Sequence, residues 1–316
     1  MVKTPICGLL GISYPIIQGG MAYLGTAELV SAVSEGGGLG IIGAGHAPTE
    51  WVKNQIGTVK MITDKPFGVN IMLMSPFVEQ IVDMVIEEKV PVVTTGGGNP
   101  GVYVSKLKQA GIIVVPVVSI VALAKRLERL GVDAIIAEGV ESGGHVGETT
   151  AMALVPQVVD SVKLPVIAAG GVADGRGLAA ALALGAQGVQ MGTRFVCAKE
   201  CIAHNLFKQK IIDAKDRDTI TTGHSLGHPV RCLKNKLTQQ FHAMEKEGVP
   251  AEELEALGMG SMRAGVIDGD LVKGSLMIGQ IAGLIKDVKP AGQIIEDIVA
   301  EAEEVIANLS GVIATH

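Results

Sequence analysis

The stretch VDAIIAEGVESGGHVGETTAMALVPQVVDSV, Val132 to Val162, decides how the chain is read. Its opening VDAIIA, Val132 to Ala137, is a short apolar run of the kind buried in a parallel sheet. Its last part, Thr150 to Val162, has the apolar spacing and length of a helix. Between them lie Glu138, Gly143, Gly144, His145 and Gly147. A strand that gives way to Gly, Glu and His just before a helix is the geometry in which α/β proteins hold catalytic groups. The glycines allow positive φ or the close approach of a flat ligand. A plain surface loop with an exposed histidine has the same composition, so the rest of the chain must decide between the two.

Working outward, short apolar runs alternate with amphipathic stretches at roughly two dozen residues per unit, the rhythm of a parallel βα sheet. Ahead of the central run come Tyr14 to Met21, Leu39 to Gly45, Phe67 to Leu73, Pro91 to Gly97 and Ile112 to Val118. After Val132 to Gly139 come Pro165 to Gly171 and Gly188 to Thr193. That makes eight near-equal units, which fit a closed (β/α)8 TIM barrel better than an open doubly wound sheet. The barrel is expected over residues 1–196. The charged, helical texture of 197–273 reads as a cap over the rim, and 274–316 reads as a segment that returns to the barrel, ending in an amphipathic helix.

Each apolar run ends in small or polar residues, among them GGM at 19–21, GAGH at 43–46, Asn70, TTGGGN at 94–99 and MGT at 191–193. In a barrel these ends share one rim, and a phosphate commonly sits on the loops after strands seven and eight. Gly170, Gly171, Gly192 and Thr193 supply backbone amides and a hydroxyl suited to a phosphate monoester. Any single glycine there could be a simple turn residue. Gly38, Gly40 and Gly43 spell G-x-G-x-x-G, but they run through an apolar strand instead of leading into a helix, so no dinucleotide fold is read from them.

The composition narrows the classes. A net charge of −6 and 3% aromatic residues leave neither a basic stripe nor stacking platforms, so nucleic acid is not an expected partner. No apolar run reaches the length of a membrane span, and the interrupted MVKTPICGLLGISYPII reads as neither a signal peptide nor an anchor, so no membrane partner is expected. Cys7, Cys197, Cys201 and Cys232 lack zinc or disulfide spacing, which points to a reducing cytoplasm. Cys197 and Cys201 could share a helix face, but no metal site is expected there. Arg231, Lys234 and Lys236 form a candidate basic patch, with a solvated helix face as the alternative. His204, His224, His228 and His242 read as structural.

The segments QGGMA, PFGVNIMLMSP, EGVESGGHVG, PVIAAGG, QMGTRF and GHPVRCLKNKL follow one another over nearly the whole chain. Together they resemble the FMN-dependent enoyl-acyl carrier protein reductases of the FabK type, a branch of the nitronate monooxygenase-like barrels. IMLMSPF, GTRFVCAKE and GHPVRCLKNKLT are similar to the reductase branch in particular. The resemblance implies FMN in the barrel mouth, its phosphate on the amides around Gly170, Gly171, Gly192 and Thr193. Its ring edge would lie near Gly20, Met21, Ala22 and Asn70, with Glu138, Gly143, Gly144, Gln190 and Met191 close by. It also implies NADH as reductant, an acyl carrier protein thioester as substrate, a homodimer and activation by a monovalent cation.

On this reading hydride passes to the β-carbon of a trans-2-enoyl thioester, and His145 assists protonation, a role its near-neutral pKa suits. Met21, Met72, Met74 and Met277 are candidates to line an acyl tunnel, with core filling as the alternative. The basic patch from Arg231 to Lys236 is the candidate docking surface for the acidic carrier. The rival readings are a nitronate monooxygenase, in which the same histidine is a base, and an NADH:quinone reductase. A non-catalytic barrel that binds FMN or another phosphate ligand is the reading from a different class.

Overall fold

The computed structural model describes residues 2–311. Eight parallel strands form the barrel: β1 (Ile16–Gln18), β2 (Gly40–Gly43), β3 (Phe67–Met72), β4 (Val92–Gly96), β5 (Ile113–Val118), β6 (Ile135–Glu138), β8 (Val166–Ala169) and β9 (Gly188–Met191). A two-residue strand, β7 (Gly144–His145), lies outside it. The order β1-β9-β8-β6-β5-β4-β3-β2 is closed by a parallel bridge between Ile17 and Leu39. Gln18, fully buried, strengthens this seam: its Oε1 accepts from Ile41 N at 3.1 Å and its Nε2 donates to Ile41 O at 3.2 Å. A buried amide whose donors and acceptor are all used adds specificity where an apolar side chain would leave only packing.

Strand alternation divides the core into two layers. Ile17, Ile41, Val115, Ile136 and Ile167 point into the barrel, and the short helix Pro5–Leu10 closes its lower end with Ile6, Cys7 and Leu10. Their neighbours Ile16, Ile42, Val114 and Ile135 face outward under the helices. Gly40 shows how tightly these layers pack, since a Cβ there would lie 2.2 Å from Val30 O. Of the G-x-G-x-x-G glycines, Gly40 thus serves helix-on-strand contact, while Gly43 packs against the Met21 backbone, where a Cβ would lie 2.2 Å from Met21 O.

Beyond the helix Thr193–Val196 the chain builds the cap. Helix Asn205–Ile212 leads to an antiparallel hairpin of β10 (Thr219–Thr222) and β11 (Val230–Leu233), followed by helices Lys236–Glu247, Ala251–Gly258 and Ser261–Val266. Asn235 starts the first of these with a capping box shared with Thr238. The returning segment is pinned by Leu233 N to Leu276 O at 2.9 Å and by Arg194, whose guanidinium meets the Asp287 carboxylate at 2.6 Å. The final helix, Ala291–Ser310, packs on helices Gly175–Ala183 and Ala27–Glu35, covering the outside of the barrel where its first and last units meet.

Two local expectations change. The helix expected over 150–162 spans Ala151–Val159, ending one turn after Pro156. Cys197 and Cys201 do not share a helix face, because the helix before them stops at Val196. Both thiols are buried, which pushes Cys197 up to about 12 and Cys201 to about 11, so they act as apolar core atoms. No helix among the described residues is long and apolar enough to cross a membrane.

Candidate active site

The strand ends converge on one cavity of about 490 Å³ at the carboxyl rim of the barrel. On its first side, Gly20, Met21 and Ala22 follow β1 and face Asn70 on β3. The contact is intimate: a Cβ on Gly20 would lie 2.2 Å from Asn70 Cβ and 2.8 Å from Cγ. Only glycine fits there. Asn70 Oδ1 accepts from Thr94 Oγ1 at 3.0 Å, and among the described residues no acceptor meets Nδ2. The amide is thus half satisfied by the strand beside it, with a donor left for the cavity.

The second side carries donors to an anion. Gly170 and Gly171, after β8, adopt φ of +79° and +76°, a turn that L side chains rarely enter. Gln190 and Met191 on β9 lead to Gly192 and Thr193. Thr193 Oγ1 accepts from Gly279 N at 2.9 Å, so its own proton is free to be donated into the cavity. Neither Lys nor Arg lines the cavity among the described residues. A phosphate here would be held by amides and a hydroxyl.

The third side is the loop after β6, with Glu138, Gly143, Gly144 and His145. Burial pushes the Glu138 carboxyl up to about 7, opposed by the nearby Ser142 hydroxyl. A Cβ on Gly143 would lie 2.5 Å from the carbonyl carbon of Ile278, so the loop presses directly on the returning segment. His145 is held below the ordinary imidazole range by burial first, and then by the nearness of His228 and His46. The ring is therefore neutral near pH 7.

His145 does not sit in a free loop. Gly144 and His145 pair antiparallel with Arg231 and Val230 as the third strand of the cap sheet, and Val146 N donates to Pro229 O at 3.0 Å. The cap thus grips the histidine through its backbone. His228 is exposed beside this pairing and near enough to act on the His145 charge, and His46 lines the cavity on the loop after β2. The only sequence sign for His46 was its place at a strand end. Glu141 was also missed: both its oxygens accept from Ala151 N, at 3.0 and 2.9 Å, and cap the following helix. His204 is structural as read, its Nδ1 accepting from Leu206 N at 3.2 Å.

Two expectations are corrected. Arg231 is 7% exposed, its Nε donating to Val140 O at 3.1 Å, so it is not part of a docking patch; Lys234 and Lys236 stay exposed. The reason is its place in the cap sheet: Arg231 pairs with Gly144 and its side chain lies beneath the loop, whereas Lys234 and Lys236 follow the strand's end. Met21, Met72 and Met277 line the cavity, but Met74 does not: it is 38% exposed beside Gly97. Met262, Val266 and Ile281 complete the apolar side from the cap and the returning segment.

Comparison with known proteins agrees with this architecture. The nitronate monooxygenase family model matches residues 3–82 and 74–301. FabK from Thermotoga maritima is 52% identical, with 99% of this chain and 100% of that chain covered and a TM-score of 0.97. A probable nitronate monooxygenase of Staphylococcus saprophyticus is 33% identical over 96% of this chain and 99% of the relative. A hydroxy-methyl-oxo-octahydroindene-carboxyl-CoA dehydrogenase of Mycobacterium tuberculosis is also 33% identical, over 95% of this chain and 96% of the relative. The barrel, its rim cavity and these full-length matches together show that the chain belongs to the nitronate monooxygenase family of oxidoreductases.

Proposed function

We propose that this chain is an NAD(P)H-dependent, FMN-mediated reductase of trans-2-enoyl thioesters carried on acyl carrier protein. The observation that carries the reading is the 52% identity to FabK over 99% of the chain. The relative named for a CoA thioester supports a thioester substrate on this scaffold.

The cavity fits FMN. Amides at Gly170, Gly171 and Gly192 and the Thr193 hydroxyl offer donors for a phosphate, and the vacant Nδ2 of Asn70 with Glu138 and Gln190 offers polar groups for a flavin ring. Gly20 lies directly against the Asn70 side chain, with no side chain of its own to enter the cavity at that point. When bound, FMN supplies hydride transfer between NAD(P)H and the β-carbon of the enoyl thioester.

The chain's own residues do the rest. His145, neutral and half-buried, presents an imidazole N–H to the thioester as negative charge builds on its oxygen, and gives up or holds a proton there. Its proton is replaced through the mouth, where His46 and His228 stand at the solvent. Glu138 is about half protonated near pH 7, which limits buried negative charge beside the reacting groups. Met262 and Met277 exclude water from the apolar side. With Arg231 buried, docking of the acidic carrier falls to Lys234 and Lys236. NADH as the preferred reductant, a homodimer, a monovalent cation and a cytoplasmic setting belong to the same reading.

One observation favours a second reading, a nitronate monooxygenase: a histidine kept neutral is also ready to act as a base. The test is anaerobic. Bleaching of the bound flavin by NADH, followed by recovery on adding crotonyl-CoA or an enoyl-carrier thioester, supports the reductase. Bleaching without recovery points to a quinone reductase, and reduction only by a nitronate supports the second reading.

A further inference from the structure

The segment GHPVRCLKNKL, Gly227 to Leu237, carries a buried cation that the chemistry above does not use. Arg231 is 7% exposed, and among the described residues it forms no salt bridge with any carboxylate. Its Nε donates to Val140 O at 3.1 Å and a terminal nitrogen donates to Thr219 Oγ1 at 3.3 Å; Glu141 is near enough to favour the charge. Burying a guanidinium without a paired carboxylate is unfavourable in a way that burying a leucine of similar volume is not. Packing alone does not account for it.

What the guanidinium reaches accounts for it better. The backbone of Arg231 pairs with Gly144, and its side chain binds the carbonyl of Val140. One residue therefore holds both ends of a five-residue arc whose middle, Glu141, Ser142 and Gly143, lines the cavity and whose end delivers His145. Gly144 at φ +78° makes the turn inside this clasp. We propose that Arg231 is the positioning residue for His145, setting the ring against the substrate side of the cavity by clasping the loop from Val140 to Gly144. The inference rests on His145 as the proton-handling group of the proposed reductase and deepens that reading. The guanidinium spreads its donors over a planar fork that reaches Val140 O on the loop and Thr219 Oγ1 on the hairpin, whereas a lysine gathers its donors on one nitrogen with no fixed fork, so Arg231→Lys is expected to loosen the clasp.

The test uses the full chain with Arg231→Ala and Arg231→Lys. The first readout is the titration of His145 followed by NMR of the histidine-labelled apoprotein, which needs neither flavin nor substrate. The groups facing that ring are His46 and His228 at the mouth, with Glu138 and Glu141 on the cavity wall. In both variants the titration is expected to move up toward the ordinary 6.5 as the loop is released. Free guanidinium ion at millimolar concentration is expected to reverse this in Arg231→Ala. The second readout is turnover of the flavin-loaded enzyme, expected to fall on the order of 10²-fold in kcat, as misplacement of a catalytic group does, with KM for the reductant little changed.

A folded Arg231→Ala or Arg231→Lys variant in which His145 titrates as in the parent protein would overturn the proposal. So would a shift seen in Arg231→Ala but absent from Arg231→Lys, since the effect would then be charge alone. Two variants that fail to fold even with guanidinium ion would mark Arg231 as a fold residue and overturn it as well. If the parent protein does not reduce enoyl thioesters, the titration readout still decides the role of Arg231, and only the reductase reading fails.

Discussion

Replacing Glu138 by Gln should make the apoprotein lose less stability than the parent as the pH rises. Glu138 titrates near 7 in the folded chain against an ordinary value of 4.5, because burial penalises its charged form. A group whose folded pKa is raised gives stability that is full below the unfolded value and is lost as pH rises through the folded one. The gap corresponds to about 3 kcal/mol at about 1.4 kcal/mol per unit, most of it lost between about pH 5 and pH 7. His145 works in the other direction: its depressed pKa gives stability that is present above 6.5 and is lost as pH falls. The difference between parent and Glu138→Gln cancels the histidine, which both proteins share. Urea unfolding of the two apoproteins at several pH values measures it. Parallel stability curves from pH 5 to 8 would refute the reasoning, because they would mean that the Glu138 carboxyl is solvated as in the unfolded chain.

Other substitutions probe the walls of the same cavity. Gly20→Ala puts a methyl group on the Asn70 side chain, and about 1–3 kcal/mol of stability is expected to be lost; flavin affinity should fall with it, read by thermal melting and flavin titration. Thr193→Val removes the acceptor of Gly279 N, leaving a buried amide unpaired at a cost of about 1–3 kcal/mol. Retention of full melting temperature and flavin binding in that variant would contradict the role given to its hydroxyl. His145→Ala should keep its flavin while turnover falls about 10²–10⁴-fold; unchanged turnover would remove His145 from the mechanism.

Much of the barrel and its rim was legible without coordinates. Apolar runs such as LGIIGAG and PVIAAGG carry their own strand length, and the small residues that end them mark the rim, because parallel strands all point their carboxyl ends the same way. Asn70 in an apolar strand and the glycines at 170, 171 and 192 could be placed around one cavity on that basis, and the structure brings them together.

What depended on the tertiary structure is contact between segments distant in the chain. Gly144 and His145 look like free loop residues in sequence, yet they pair with Val230 and Arg231 more than eighty positions onward. Pairing register at that separation leaves no local pattern. The same ladder turns Arg231 inward while Lys234 and Lys236 stay in water, which a count of basic residues cannot distinguish. The proximity of His46 and His228 to His145, and the burial that raises Glu138, likewise depend on which elements meet at the mouth. Sequence by itself determined the repeating βα units and their rim, because these follow from short-range periodicity; the electrostatics and anchoring of the site were decided by folding, because they arise from long-range burial.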